Sequence, residues 1–205
     1  MRLLIATRNR HKLEEIRAIF RQPALEAVST LDFPFVPDVA EDGTTFEENA
    51  VKKAVTLARA TGLWALADDS GLEVQALGGA PGVRSARYAG EPVDYAANNR
   101  KLLAQMAGIG DRRARFRCVI ALSSPAGAAR TVEGRCEGAI AAAPRGTRGF
   151  GYDPVFVAEG ETLTFAEMEP DAKNRISHRG RALARAAEAW GAMLAREPAD
   201  WKDAG

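Results

Sequence analysis

Apolar positions along this chain change period several times, and each change marks an element. Residues 2–6, RLLIA, are a short continuous apolar run and predict a buried strand. From about Arg10 to Phe20, Leu13, Ile16 and Phe20 keep a helical spacing. The stretch EDGTTFEENAVKKAVTLARATG opens with a turn and continues as a helix. Thr44 precedes Glu47, and Thr45 precedes Glu48, by the three residues of a capping box, and Gly62 supplies the stop. LWALAD returns to a strand. DDSG after it reads as a turn, because Asp, Ser and Gly are turn formers. DYAANNRKLLAQMAG predicts a helix with Asp94 at its N-cap and Gly108 at its end. ARFRCVIALSS and ARTVEGRCEGAIAA are β-rich runs joined by PAGA, a long hairpin. PVFVAEG and TLTFAEM predict shorter strands. An Ala-rich amphipathic helix runs from Ser177 to Glu197, with a frayed tail after it. Helices and strands mix without strict βαβ alternation, so the fold class is α/β, with helices packed on a mixed sheet.

Bulk properties narrow the picture only by exclusion. At 205 residues the chain is one domain, or two closely packed lobes. A net charge of +1 gives no basic field for bulk nucleic-acid binding. The first residues are too briefly apolar for a signal peptide, and no run reaches the roughly 20 residues of a membrane helix. Cys118 and Cys136 have no Cys or His beside them and read as free thiols of a cytosolic protein. Of 28 basic residues only Lys12, Lys52, Lys53, Lys101, Lys173 and Lys202 are lysine. A retained lysine is therefore better evidence of a role than an arginine is.

Polar clusters interrupt the pattern at element boundaries. ATRNRHK, Ala6 to Lys12, joins a strand to a helix. Backbone N–H groups at that helix start suit a phosphate, and Lys12 can neutralise it. Glu41 lies in the turn before the second helix, and Lys53 lies near its apolar edge. A surface ion pair from Glu48 to Lys52 is the bland reading of that helix. Asp68 and Asp69 end a strand, where a carboxylate can hold Mg²⁺ together with substrate phosphates. Adjacent strand residues point to opposite faces, so one of the two at most faces a given cleft. RGFGYDPVF places Phe150 and Tyr152 around Gly151, with Asp153 following, as a platform for a flat ring. One of the two aromatics is expected to fold back onto the core. KNRISHRGRA gathers Lys173, Arg175, His178, Arg179 and Arg181 around a helix start capped by Ser177. Cations there oppose the helix dipole at about 0.3–1 kcal/mol each, and a bound electron-rich group would offset that.

Together these segments resemble the non-canonical purine nucleoside triphosphate pyrophosphatases, the inosine triphosphatase-like proteins. The resemblance runs through ATRNRHKLEE, EDGTTFEENAVKKA, ADDSGLEVQALGGAPGVRSARYAG, FRCVIAL, GFGYDPVF and KNRISHRGRAL, in order from Ala6 to Leu183. It implies an elongated, twisted mixed sheet with flanking helices, in one two-lobed domain around a central substrate cleft. It also implies a cytoplasmic homodimer that cleanses the nucleotide pool. The implied reaction takes ITP, dITP and XTP to the monophosphate and pyrophosphate, with Mg²⁺. The resemblance assigns Thr7, Asn9 and Lys12 to the triphosphate. Glu41 and Asp69 become metal ligands, and Asp69 also the proton acceptor. Lys53 becomes the catalytic-site lysine, and Ser70 a substrate contact. Asp68 could orient metal waters or raise the basicity of its neighbour. Phe150 stacks on the base within the Gly151–Tyr152 loop, Asp153 faces its N–H edge, and Lys173, His178 and Arg179 read the 6-oxo oxygen. A regulatory nucleotide-binding module is the alternative. It would not need Glu41, Asp68, Asp69 and Lys53 together.

Overall fold

In the computed structural model, residues 1–20, 25–196 and 201 are described. The predicted end of the last helix at Glu197 and the frayed tail fall largely outside them. The strands are β1 (Arg2–Ile5), β2 (Glu26–Ser29), β3 (Trp64–Val74), β4 (Arg113–Ser123), β5 (Ala129–Ile140) and β6 (Phe156–Ala158). The helices are α1 (Arg10–Ile19), α2 (Phe46–Thr61), α3 (Tyr95–Gln105), α4 (Pro170–Ile176) and α5 (His178–Leu194), with short 3-10 turns between elements. The strands form one sheet in the order β2-β1-β3-β4-β5-β6. β1 pairs parallel to β2 and β3, with Leu3 opposite Ala27 and Trp64, while β6 lies antiparallel to β5. The sheet is therefore mixed, as the absence of strict alternation predicts.

The chain divides into two compact units. The first is Met1–Asp69, Cys118–Gly134 and Arg179–Gly205, and the second is Ser70–Arg117 and Arg135–His178. The first core joins Leu3, Ile5, Leu66, Ile120 and Leu122 of the strands to Leu13 and Ile16 of α1. Ala182, Leu183, Ala186, Trp190 and Leu194 of α5 complete it. Their spacing is a helical stripe, which is why the Ala-rich run folds as a helix against the sheet. The second core gathers Leu72, Val74, Phe116, Val155, Phe156 and Phe165 with Leu102 and Met106.

Three expectations need correction. DDSG is not a turn: β3 continues through Asp68, Asp69, Ser70 and Gly71 to Val74. Leu72 and Val74 are fully buried, and the burial of this continuation outweighs the turn propensity of Ser and Gly. TLTFAEM is not a strand, and only an isolated bridge joins Thr164 to Val157. The cation-rich segment is two helices separated by extended Ser177. Lys173 and Arg175 lie in the last turn of α4, where the dipole favours cations, so only His178, Arg179 and Arg181 sit at a helix start.

The cap of α2 matches its sequence. Thr45 accepts from the Glu48 N–H at 3.1 Å, and the Glu48 carboxylate accepts from the Thr45 N–H at 3.1 Å. Glu48 also accepts from the Thr44 N–H and hydroxyl, so it does not take the expected pair with Lys52, which reaches Asp42 at 2.5 Å. Gly62 closes the helix with φ +69°. Replacing Thr45 by Ala should cost about 1 kcal/mol in urea unfolding, the usual loss for such a cap. An unchanged midpoint would mean that tertiary packing alone fixes the start of α2.

Candidate active site

β3 carries two adjacent carboxylates into opposite surroundings, as strand geometry requires. Asp68 is completely buried. Its Oδ2 meets the Lys12 ammonium at 3.1 Å and accepts from the Arg179 guanidinium at 3.1 and 3.4 Å. Arg179 also donates to Glu15 of α1. Asp69 accepts from the Asn49 side-chain amide of α2 at 2.9 Å. One turn further along α2, Lys53 is buried and donates to the Asp68 backbone carbonyl at 2.5 Å and to Glu41 at 2.6 Å. The lysine near the apolar edge of the sequence pattern is thus part of this cluster, not a surface residue.

The two aspartates differ in their readiness to take a proton. Burial pushes the Asp68 carboxyl up, but Lys12, Arg179 and Lys53 outweigh it and hold the group far below the carboxylate range. It stays ionised and serves as the anchor of two cations. For Asp69 burial prevails. It lifts the carboxyl above the usual 3.8 against Lys12 and Lys53, with Glu41 adding repulsion. Glu41 itself is raised by burial but lowered on balance, chiefly by Lys53. Burial would deprotonate Lys12, yet Asp68 and its fellow carboxylates keep its pKa above the ordinary value. Cys118, also buried, has its thiol pushed up to about 12 by burial and then by Asp68, so it is inert at neutral pH. Asp69 and Glu41 are hard oxygen donors that repel each other through their charge. A pair of carboxylates suits Mg²⁺, which completes its octahedron with water and phosphate oxygens.

The loop before α1 is folded on itself. Thr7 accepts from the Asn9 N–H at 3.2 Å. Asn9 caps α1 by accepting from the His11 and Lys12 N–H groups at 3.0 and 3.2 Å. The first helical donors expected to await a phosphate are therefore taken up by the Asn9 amide.

The second unit holds the aromatic cluster. Gly149 and Gly151 have φ of +71° and +64°, so Phe150 sits between two left-handed glycines. A Cβ on Gly149 would collide with the Asp153 carboxylate. That carboxylate closes the loop: Oδ2 accepts from the Phe150 N–H at 2.9 Å and from Lys173 at 2.6 Å. Lys173 lies 5.4 Å from the centre of the Phe150 ring, within cation–π range. Tyr152 is the aromatic that folds inward. It is buried, and its hydroxyl donates to the Ser85 carbonyl at 2.9 Å. Phe150 remains half-buried beside Tyr95. His178 is buried and stacks on Phe116 with ring centres 4.5 Å apart. Ser70 is half-buried within β3.

The structure thus brings Lys12, Lys53, Glu41, Asp68, Asp69 and Arg179 together in the first unit. In the second, Phe150, Asp153 and Lys173 meet directly, while Tyr152 turns to Ser85 and His178 to Phe116. Sequence reasoning misses Asn49 and Glu15. Both had a signal: Asn49 lies four residues before Lys53, and Glu15 three after Lys12, so each shares a helix face with a singled-out lysine.

The chain matches the Ham1 family over residues 3–189. It is 58% identical over 181 residues to the dITP/XTP pyrophosphatase of Syntrophobacter fumaroxidans, covering 88% of this chain and 78% of that one. It is 55% identical to the dITP/XTP pyrophosphatase of Geobacter sulfurreducens, over 89% of this chain and 93% of that one. Among solved structures, a HAM1 protein from Coxiella burnetii superposes with a TM-score of 0.85 at 44% identity, over 92% of this chain and 98% of the other. On these grounds the chain belongs to the Ham1 family.

Proposed function

We propose that this protein hydrolyses non-canonical purine nucleoside triphosphates, dITP, XTP and ITP, to the monophosphate and pyrophosphate in a Mg²⁺-dependent reaction. The observation that carries the reading is Asp69: a buried carboxylate with a raised pKa, next to two lysines and a second carboxylate. The names of the related pyrophosphatases give the substrate class. Such a carboxylate can take a proton from the water that attacks the α-phosphorus. Lys12 and Lys53 neutralise charge on the phosphate oxygens as pyrophosphate leaves. Thr7 and Asn9 shape the loop that presents Lys12, and Ser70 follows Asp69 as a substrate contact. Bound between Glu41 and Asp69, Mg²⁺ would supply Lewis-acid polarisation of the phosphate oxygens.

Phe150 gives the base a ring to stack on, with Lys173 and Asp153 as the polar pair beside it. Donors from Lys173 and His178 select a 6-oxo oxygen. Against a 6-amino group these donors would face another donor and go unpaired, which disfavours adenine strongly. Arg179 keeps the Asp68 carboxylate in place through the bonds described above. We further propose a homodimer working in the cytoplasm. Among the described residues no helix is long and apolar enough to cross a membrane.

Bond choice provides the first test. ITP or XTP with Mg²⁺ should yield the monophosphate and pyrophosphate, separable by ion-exchange chromatography. Orthophosphate and the diphosphate as first products would place the attack at the wrong phosphorus and overturn the reading. Asp69→Asn provides the second. It keeps the shape of the side chain and removes its basicity, so kcat should fall by roughly 10²–10⁴-fold, as for loss of a general base. The pH dependence follows in sign. The base must be deprotonated to act, so kcat/KM should fall as pH drops through its pKa, and raising Mg²⁺ should move this acid limb to lower pH, since a cation at Asp69 opposes the upward shift from burial. The Asn variant should lack this acid limb. A variant with most of its activity intact and the same limb would move the base elsewhere.

A further inference from the structure

Helix α3 carries no group assigned to the reaction, yet it touches the aromatic loop twice. Tyr95 lies against Phe150 with ring centres 6.0 Å apart. Asn99, four residues on and on the same helix face, donates its side-chain amide to the Gly151 carbonyl at 2.9 Å across 52 positions of sequence. Its neighbour Asn98 offers a contrast. The Asn98 oxygen accepts from the Ala89 N–H at 2.6 Å, and its amide donates to the carbonyls of Ser85 and Ala86 at 3.3 and 2.8 Å. Asn98 is thus satisfied at both ends, as a structural asparagine should be. Asn99 is also buried, but no described residue donates to its Oδ1.

A buried acceptor without a donor weakens a fold, and an apolar side chain of the same size would not incur that loss. What Asn99 contributes is its donor, and the donor's target is the glycine that follows Phe150. Two left-handed glycines leave the Phe150 backbone free to swing, since glycine occupies either sign of φ readily. Asp153 restrains the loop on one side through the Phe150 N–H, and Asn99 restrains it on the other through the Gly151 carbonyl.

We propose that Asn99 is a positioning residue for substrate recognition: its amide holds the Gly149–Gly151 turn so that the Phe150 ring is set to receive the base before the substrate arrives. The inference rests on the reading of Phe150 as the base-stacking ring. It deepens that reading by naming the residue that preorganises the ring. Preorganisation of this kind acts on binding and leaves the chemical step at Asp69 alone.

The test is steady-state kinetics with XTP and Mg²⁺ on wild type, Asn99→Leu, Phe150→Ala and the double variant, with thermal unfolding of each. Asn99→Leu keeps the branched heavy-atom skeleton, in a somewhat larger side chain, and removes both polar atoms. It should raise KM about fivefold to tenfold, the scale of one neutral hydrogen bond, with kcat within about threefold of wild type. Its unfolding midpoint should stay within a few degrees of wild type, because losing the undonated Asn99 oxygen offsets the donor lost to the Gly151 carbonyl. Phe150→Ala should raise KM at least as much, and adding Asn99→Leu to it should change nothing more, because Asn99 acts through the ring. If Phe150→Ala raises KM while Asn99→Leu leaves it at the wild-type value, the positioning role is wrong and the stacking reading stands. If Phe150→Ala leaves KM unchanged, the stacking reading fails and takes this inference with it. A lowered midpoint with KM and kcat changed together would make Asn99 a purely structural residue and overturn the proposal. Asn99→Asp, equal in shape but without the donor, is read in the same way should the Leu variant fail to fold.

Discussion

Keeping the Asp68 carboxylate ionised inside the protein would cost several kcal/mol if cations did not surround it. Lys12 from α1, Arg179 from the start of α5 and the charge of Lys53 from α2 together meet that requirement. These residues are far apart in sequence, and three helices must dock on β3 for them to converge. Removing one partner would leave an uncompensated buried charge, so the network also tells the chain which helix faces belong inward. A replacement by apolar side chains could pack as well, but it would not leave two lysines charged and pointing at one strand. Function and fold meet at this carboxylate.

The consequence for chemistry lies one residue on. Because the strand turns successive side chains to opposite faces, Asp69 feels the charge of Lys12 and Lys53 while its carboxylate accepts from the neutral Asn49 amide. Asp69 keeps a neutral partner in Asn49 and a repelling neighbour in Glu41, and its burial carries the balance. Two identical side chains thus take two tasks, one permanently charged and one able to titrate. This is the pattern expected where environments drive a pair of pKa values apart. In the second unit the same economy recurs, with Asp153 fixing both the Phe150 turn and the Lys173 ammonium.

Much of this was legible in the sequence where the physics is local. The Thr45–Glu48 cap, the Gly62 stop, the Asp94 cap and the helical stripes follow from neighbours within one or two turns. The polar clusters stood out because charged residues interrupted apolar periodicity, and the family resemblance tied them to one class of substrate. What the sequence hid is decided at a distance. Ser70 and Gly71 favour a turn by themselves, and only burial of Leu72 and Val74 holds them in a strand. The break at Ser177 was invisible because Arg-rich composition masks which cations face a helix end and which face a start. The Arg179–Glu15 pair spans 164 positions, and no spacing rule reaches that far.

The central claim, that the pKa values of neighbouring carboxylates on one strand are moved in opposite directions, can be read directly. Carbon-detected NMR of side-chain carboxyl groups, with the two signals assigned through Asp68→Asn and Asp69→Asn, would follow both through a pH titration of the folded protein. The account predicts that the Asp68 signal stays at its ionised shift throughout the folded range. The Asp69 signal should titrate with a midpoint above that of an ordinary aspartate. Titration of Asp68 at or above the ordinary value, with Asp69 remaining ionised, would contradict it.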